Sequence, residues 1–209
     1  MRQATVHRIA GDRVEYGEAV TLPCATGFQP VIDAASGKAL LSELCSPFAS
    51  DFKPECQIVQ PENIPHPEDD LLVHHEHMTV VLERHHGQRV QVHVLEERVE
   101  GNFYRRKISL TPEGSDTVVE LGVVRLNLNF MPEEVSREIR QKKTPLGAIL
   151  IKHKVHRRVK PRYFLRVPPA SAVLKMFGTD VAQPVYGRLG TIYCDKQPCI
   201  ELLEIVLNT

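Results

Sequence analysis

Two oppositely charged residues occupy positions where strand alternation predicts apolar side chains. Arg106 alternates with Ile108 and Leu110, which places its guanidinium on the apolar face of a predicted strand. Glu204 alternates with Leu202 in the last predicted strand and points to the same kind of face. Burying an unpaired guanidinium or carboxylate is costly, so each group needs a partner of opposite charge or a polar ligand.

These two inward charges have two interpretations, and periodicity alone does not choose between them. In the first, Arg106 and Glu204 form a buried ion pair with a structural role. In the second, they hold a ligand between them, with a carboxylate on the arginine fork and a hydroxyl on the glutamate. The same alternation directs Glu201, Leu203 and Ile205 outward.

Histidines and cysteines are the other candidates for chemistry. Five histidines lie close together, at His74, His75, His77, His85 and His86. They form no HExxH motif, and a metal site would need converging ligands with a supporting second shell, so no metal is expected. The five cysteines include no CxxC pair, and Cys194 and Cys199 are interpreted as ordinary strand residues.

The elements that position these residues are predicted from hydrophobic periodicity and turn signals. An amphipathic helix is predicted over 70–86, ending at Gly87. The other predicted helices are Ala39–Leu44, Pro132–Lys142, Pro145–Lys154 and Ser171–Phe177. The predicted strands are Arg89–Leu95, Phe103–Leu110, Val118–Phe130, Tyr163–Val167, Val185–Tyr193 and Ile200–Leu207. This order predicts an α+β domain, with an antiparallel sheet of about six strands flanked by helices around an internal ligand pocket.

The proline-rich stretch 60–68 predicts a connector between two parts of the chain, because three prolines remove backbone donors and favour extended neighbours. Residues 1–60 are interpreted as an N-terminal segment packed on the main domain, with a hairpin formed by Thr5–Ile9 and Arg13–Tyr16 and a short helix. Residues 68–209 form the main domain.

Composition excludes several classes of protein. Lys and Arg (26) balance Asp and Glu (26), and the pI of about 7.1 gives no net basic charge for nucleic acid. No apolar stretch is long enough for a membrane helix, and the N-terminus has no secretory signal, so we expect a cytoplasmic protein, a monomer or weak dimer. P-loop, GxGxxG and GxSxG motifs are absent, which argues against a nucleotide cofactor.

Four blocks of the main domain, in order and at matching spacing, resemble the chorismate lyase (chorismate–pyruvate lyase) family. They are Met78–Glu83 with Gly87, Arg106–Leu110, the TPLG turn within Lys143–Gly147, and the closing block from Val185 to Leu207. The resemblance implies that family's fold, an antiparallel sheet flanked by helices with the ligand sealed inside. It extends to the effector-binding domains of some winged-helix bacterial repressors, which share the fold.

The resemblance also implies roles for individual residues. Arg106 matches the arginine that grips the ring carboxylate, and Glu204 matches the glutamate on the hydroxyl para to it, which also serves as a candidate base. Leu146 matches a residue whose backbone N–H meets the carboxylate, and Met78 matches an apolar contact to the ring. Arg188, or else Arg105, is assigned to a second carboxylate.

The family reaction converts chorismate to 4-hydroxybenzoate and pyruvate and requires no cofactor. The resemblance therefore implies a carbon–oxygen lyase with Arg106 and Glu204 as catalytic residues. The alternative is a non-catalytic binding or sensor domain for a small aromatic carboxylate on the same fold. Residues 161–184 are longer than in the compact bacterial enzymes and are predicted to cover the pocket mouth or to change which ligand fits.

Overall fold

The structure is a computed structural model that describes residues 33–49, 52–178 and 180–208. The hairpin predicted from Thr5 to Tyr16 lies outside the described residues, as does Cys24. The four cysteines within the described ranges are free thiols, in agreement with the interpretation of Cys194 and Cys199 as ordinary strand residues. Among the described helices, none is long and apolar enough to cross a membrane.

One antiparallel sheet of seven strands organises the chain, and the predicted α+β class is confirmed. The strands are β1 Gln57–Val59, β2 Val90–Glu100, β3 Phe103–Pro112, β4 Glu120–Asn127, β5 Arg157–Val167, β6 Val185–Cys194 and β7 Gln197–Val206. Their order across the sheet is β1-β5-β6-β7-β4-β3-β2. The strand missed by the sequence prediction is β1, whose three residues are too few for alternation to be recognised.

Helices cover both faces of this sheet. The α-helices are α1 Ala34–Cys45, α2 Glu68–Leu72, α3 Met78–His86, α4 Glu133–Gln141 and α5 Leu146–Lys152. Helices α2 to α5 lie on one face, which we call the α3–α5 face, and α1 lies on the other, which we call the α1 face. Short 3-10 helices are Ser46–Phe48, Pro61–Asn63, Leu128–Phe130 and Ala172–Phe177.

Leu203 and Ile205 were expected to point outward, away from the core, and this expectation is wrong. Both side chains are fully buried, because they pack with Leu41 and Leu44 of α1 on the α1 face. Alternation assigned the two sets of β7 residues to opposite faces correctly. It could not indicate that both faces are covered, since the covering helix comes from the segment before residue 60.

The single helix predicted over 70–86 is wrong, because the structure has two helices, α2 and α3, separated by 73–77. The carbonyls of Leu72, His74 and Glu76 accept hydrogen bonds from the buried guanidinium of Arg188, at 3.1, 3.1 and 3.3 Å. Backbone carbonyls in this segment therefore accept hydrogen bonds from an arginine instead of from the N–H groups of a continuing helix. The end of α3 agrees with the prediction, since Gly87 is its left-handed C-cap with φ of 65°.

The described residues of 161–184 do not line the cavity, so the predicted cover of the pocket mouth is wrong, whereas their effect on which ligand fits stays a prediction. Their first part continues β5 to Val167, and their second part includes the 3-10 helix Ala172–Phe177. Val173, Leu174 and Phe177 are buried in the cluster on the α1 face. Most of the segment therefore packs on the α1 face, although Phe164 of β5 is buried on the α3–α5 face.

Candidate functional site

A small internal cavity of about 40 Å³ lies between the sheet and the first residues of α3 and α5. Four of the five predicted site residues line it: Met78, Leu146, Arg106 and Glu204. The fold thus brings predicted residues from separate sequence motifs together in the wall of one cavity. The fifth, Arg188, is not part of the cavity wall.

Arg106 contributes an unpaired positive charge to this cavity. Its side chain is 0% exposed, and none of its three guanidinium nitrogens has a hydrogen-bond partner among the described residues. Its cross-strand neighbour Glu97 accepts hydrogen bonds from the Tyr104 hydroxyl at 2.8 Å and from Lys142 Nζ at 2.5 Å instead. Burial lowers the pKa of Arg106 below its ordinary value. Tyr104, whose hydroxyl lies close to the guanidinium without a well-formed hydrogen bond, and Glu97 partly oppose this effect.

Glu204 lines the cavity with one carboxylate oxygen already bound. Arg188 Nε donates to Glu204 Oε2 at 2.5 Å, and both residues are buried. The remaining nitrogens of Arg188 donate to the backbone carbonyls before α3, and Nη1 also contacts the His74 ring at 3.2 Å. A buried Arg–Glu pair therefore exists, but its arginine is Arg188 rather than Arg106.

Neither candidate for the second carboxylate reaches the cavity. The Arg188 guanidinium lies beside Glu204, within a shell of backbone acceptors. Arg105 is directed to α1 and donates to the Glu43 carbonyl at 3.1 Å, with an ion pair to Glu100 at 3.3 Å. Within the cavity wall the structure describes, Arg106 is the one guanidinium.

Glu120 is a cavity residue that the sequence reasoning missed. It lies at the start of β4, is 3% exposed, and its Oε2 has no hydrogen-bond partner among the described residues. Burial and the neighbouring Glu204 raise the pKa of Glu120 well above its ordinary value. The signal was present, because extending the alternation of Val124 and Leu126 back along the strand places Glu120 on the same face.

The first residues of α3 and α5 form the opposite wall. Neither helix has a side-chain cap, and N–H groups in a first helical turn have no partner within the helix. Gly147 allows α5 to approach the start of α3 closely, since a Cβ at this position would lie 2.9 Å from His77 Cβ and 3.0 Å from Thr79 Oγ1. Helix N-termini favour negative charge, and so does Arg106 across the cavity.

His77 joins the cavity to a cleft on the surface. Its Nε2 accepts a hydrogen bond from Arg157 Nε at 2.6 Å, and the residue lines both the cavity and the neighbouring cleft. Burial, with Arg157 and Arg188 nearby, lowers the pKa of His77 to about 4, so its ring is neutral near pH 7. Two other predicted histidines contact backbone carbonyls, His74 that of Leu71 and His75 that of Val159.

Comparison with known proteins gives structural neighbours only. No family model and no curated protein matches the chain. PhnF from Mycobacterium smegmatis aligns at 13% identity and a TM-score of 0.47, over 61% of this chain and 62% of that chain. This chain thus spans less than two thirds of that protein.

Two isolated domains align in the same range. The effector domain of PhnF matches at 13% identity and a TM-score of 0.47, over 63% of this chain and 88% of that chain. The ligand-binding domain of a putative GntR-family transcriptional regulator from Bordetella bronchiseptica matches at 12% and 0.45, over 57% and 86%. At these TM-scores the similarity carries no conclusion about function, which depends on the site.

Proposed function

We propose that this chain is a binding domain for a small organic acid with one carboxylate, held in the cavity beneath α3 and α5. The observation that carries the proposal is Arg106, a fully buried guanidinium with no hydrogen-bond partner among the described residues. A carboxylate on this fork satisfies a group that is otherwise costly to bury. The apolar wall, with Met78, Val124 and Leu146, suits a ring or an aliphatic body.

Charge in and around the cavity favours one carboxylate rather than two. Glu204 and Arg188 neutralise each other, and the His77 ring is neutral near pH 7. With Glu120 protonated, Arg106 is the one uncompensated charge in the cavity wall. A second ligand carboxylate would lie near Glu204 without a cation to bind it.

A ligand with an aromatic ring requires the wall to open. A cavity that binds benzene has a volume of roughly 150 Å³, whereas this one has about 40 Å³. Met78, an unbranched and adaptable side chain at the start of α3, is placed to make room. We therefore expect slow or temperature-dependent association.

Binding of 4-hydroxybenzoate and benzoate, measured by calorimetry and by the shift in melting temperature, tests the proposal. We expect at least one of these acids to bind and to raise the melting temperature. Arg106→Met should weaken binding by about 100-fold, since it removes a charge-assisted bidentate contact. Arg105→Met is the matched control, because this adjacent arginine faces α1, and it should retain the wild-type affinity.

Two results would contradict the proposal. One is a wild-type protein that binds neither acid at millimolar concentration. The other is an Arg106→Met protein that binds as tightly as the wild type, which would place the carboxylate elsewhere.

A second candidate function is the lyase reaction, and it is favoured by the position of Arg106 and Glu204 on one cavity wall. In that function Arg106 anchors the ring carboxylate of chorismate, and Glu204 orients the ring hydroxyl or accepts a proton. The second carboxylate of chorismate counts against it, for the reason given above. Incubation with chorismate and assay of pyruvate decides between the two functions, with Glu204→Gln as the inactive control. Pyruvate release no faster than in buffer leaves the binding function.

A further inference from the structure

We infer that Glu120 is a neutral carboxylic acid that donates a hydrogen bond to the far end of the bound acid, and so selects ligands with an uncharged hydroxyl there. The inference rests on the proposed function, since it concerns the same cavity. It assigns to the site a specificity residue that the family resemblance does not contain.

Strand register places Glu120 and Arg106 at opposite ends of the cavity. Arg106 on β3 pairs with Val124 of β4, whereas Glu120 lies four residues earlier on β4, a separation of about 13 Å along the strand. Glu204 on β7 pairs with Gly122 and so lies beside Glu120 on the same face. A ligand whose carboxylate binds Arg106 therefore directs its other end to two carboxyl groups.

These two carboxyl groups share one guanidinium. Arg188 Nε donates to Glu204 at 2.5 Å, while its Nη atoms are directed to the carbonyls of the segment before α3 and to the His74 ring. The described residues give Glu120 no ion pair, and its Oε2 has no hydrogen-bond partner. Two adjacent buried carboxylates with one cation are unfavourable unless one of them holds a proton, and Glu120 is the one without the cation.

The groups packed around Glu120 favour this protonated state. Glu204 on β7 is the nearest negative group, and Arg188 on β6 is engaged by it. His77, at the start of α3, is neutral near pH 7, and Arg106 lies at the other end of the cavity. Gly122 leaves room for the acid, because a Cβ there would lie 3.3 Å from Glu120 Oε1.

A hydroxyl group is matched to this pair of carboxyl groups. It accepts a hydrogen bond from the Glu120 acid and donates one to the Glu204 carboxylate, so both unused oxygens are satisfied. Benzoate leaves these oxygens without partners, which is costly for buried carboxyl groups. A second carboxylate at this end, as in terephthalate, meets the charge of Glu204.

The test is the ratio of affinities for 4-hydroxybenzoate and benzoate in the wild type, Glu120→Gln and Glu120→Leu. We expect the wild type to prefer 4-hydroxybenzoate by at least about tenfold near pH 6. Glu120→Leu should reduce this preference at least about fivefold, because it removes the donor. Glu120→Gln keeps an N–H donor in a side chain of the same shape, and it should retain most of the preference.

The pH dependence of the ratio separates hydrogen-bond donation from a packing effect. Because burial and Glu204 raise the pKa of Glu120, the acid is protonated below that pKa and ionises as the pH rises through it. The wild-type preference for 4-hydroxybenzoate should therefore fall as the pH rises through this raised pKa, measured at pH values below the ionisation of the ligand phenol. Glu120→Gln has no proton to lose, so its ratio should be constant over the same range.

Different results separate this inference from the proposed function. Failure of the wild type to bind either acid overturns both. If both acids bind, an unchanged preference in Glu120→Leu overturns the inference alone. Should Glu120→Leu not fold, the comparison of wild type with Glu120→Gln decides, and equal pH profiles in these two proteins overturn the inference.

Discussion

Arg106 on β3 and Arg188 on β6 lie on the same face of one sheet and are almost equally buried, yet their surroundings differ. Arg188 donates to Glu204 and to the carbonyls of Leu72 at the end of α2 and of two residues between α2 and α3. Arg106 has no such partner, and its cross-strand neighbour Glu97 is bound by Tyr104 and Lys142. Equal burial therefore does not imply an equal role: Arg188 supports the fold, whereas Arg106 is available to an anion from outside the chain.

The largest loss of stability is expected when Arg188 is replaced. Arg188→Met leaves the buried Glu204 carboxylate and the carbonyls of Leu72, His74 and Glu76 without a donor. Removing one partner of a buried pair costs about 3–5 kcal/mol. Urea denaturation followed by circular dichroism should show this loss in the free energy of unfolding.

A double variant provides the control for Arg188. Combining Arg188→Met with Glu204→Gln removes the uncompensated charge, so the double variant should be more stable than Arg188→Met alone. A loss below about 1 kcal/mol in the single variant would mean that Arg188 is not the support of the fold described here.

An intermediate effect is expected at Gly147, on the Arg106 side of the cavity. Gly147→Ala places a methyl group 2.9 Å from His77 Cβ, so α5 has to move away from the start of α3. Overpacking of this kind costs about 1–3 kcal/mol. Thermal denaturation measures the loss, and calorimetry should show weaker binding of 4-hydroxybenzoate. Ala148→Gly, at the next position in α5, is a control that removes a methyl group instead of adding one. Unchanged binding in Gly147→Ala would place the ligand away from the start of α5.

The sequence predicted the inward position of Arg106 better than the surroundings of Arg188. Arg106 and Glu204 stand out because a charge interrupts an apolar alternation, and that signal is local to each strand. The partners of Arg188 are not local, since they come from a segment whose periodicity predicted a continuous helix. No pattern in β6 indicates that 73–77 bends to meet its arginine.

The fold was predictable where one strand or helix carries its own pattern. Strands β2 to β7 and helices α4 and α5 agree with the predicted elements, though several boundaries moved. Burial of Leu203 and Ile205 was not predictable from β7, because it depends on α1: a short helix packed on the main domain was predicted there, but not the face of the sheet that it covers. Glu120 was missed for a simpler reason: the predicted strand contains it, but the alternation was followed only from Val124 onward.

The smallest change in stability is expected at Arg106, although the same substitution should have the largest effect on binding. Arg106→Met replaces a buried, unpaired guanidinium with an apolar chain of similar length, so no carboxylate loses its partner. Replacing even a buried ion pair by apolar groups is often neutral or stabilising by about 1–4 kcal/mol, and an unpaired charge is more costly to bury than a paired one. In the absence of added acid we therefore expect a free energy of unfolding unchanged or raised by up to about 2 kcal/mol. Urea denaturation of Arg106→Met and Arg188→Met under the same conditions measures the contrast directly. The two Arg→Met changes lie on one face of one sheet and should have opposite or unequal effects on the free energy of unfolding. A loss at Arg106 as large as that at Arg188 would show that Tyr104 and Glu97 already satisfy its guanidinium, and the difference between the two arginines would disappear.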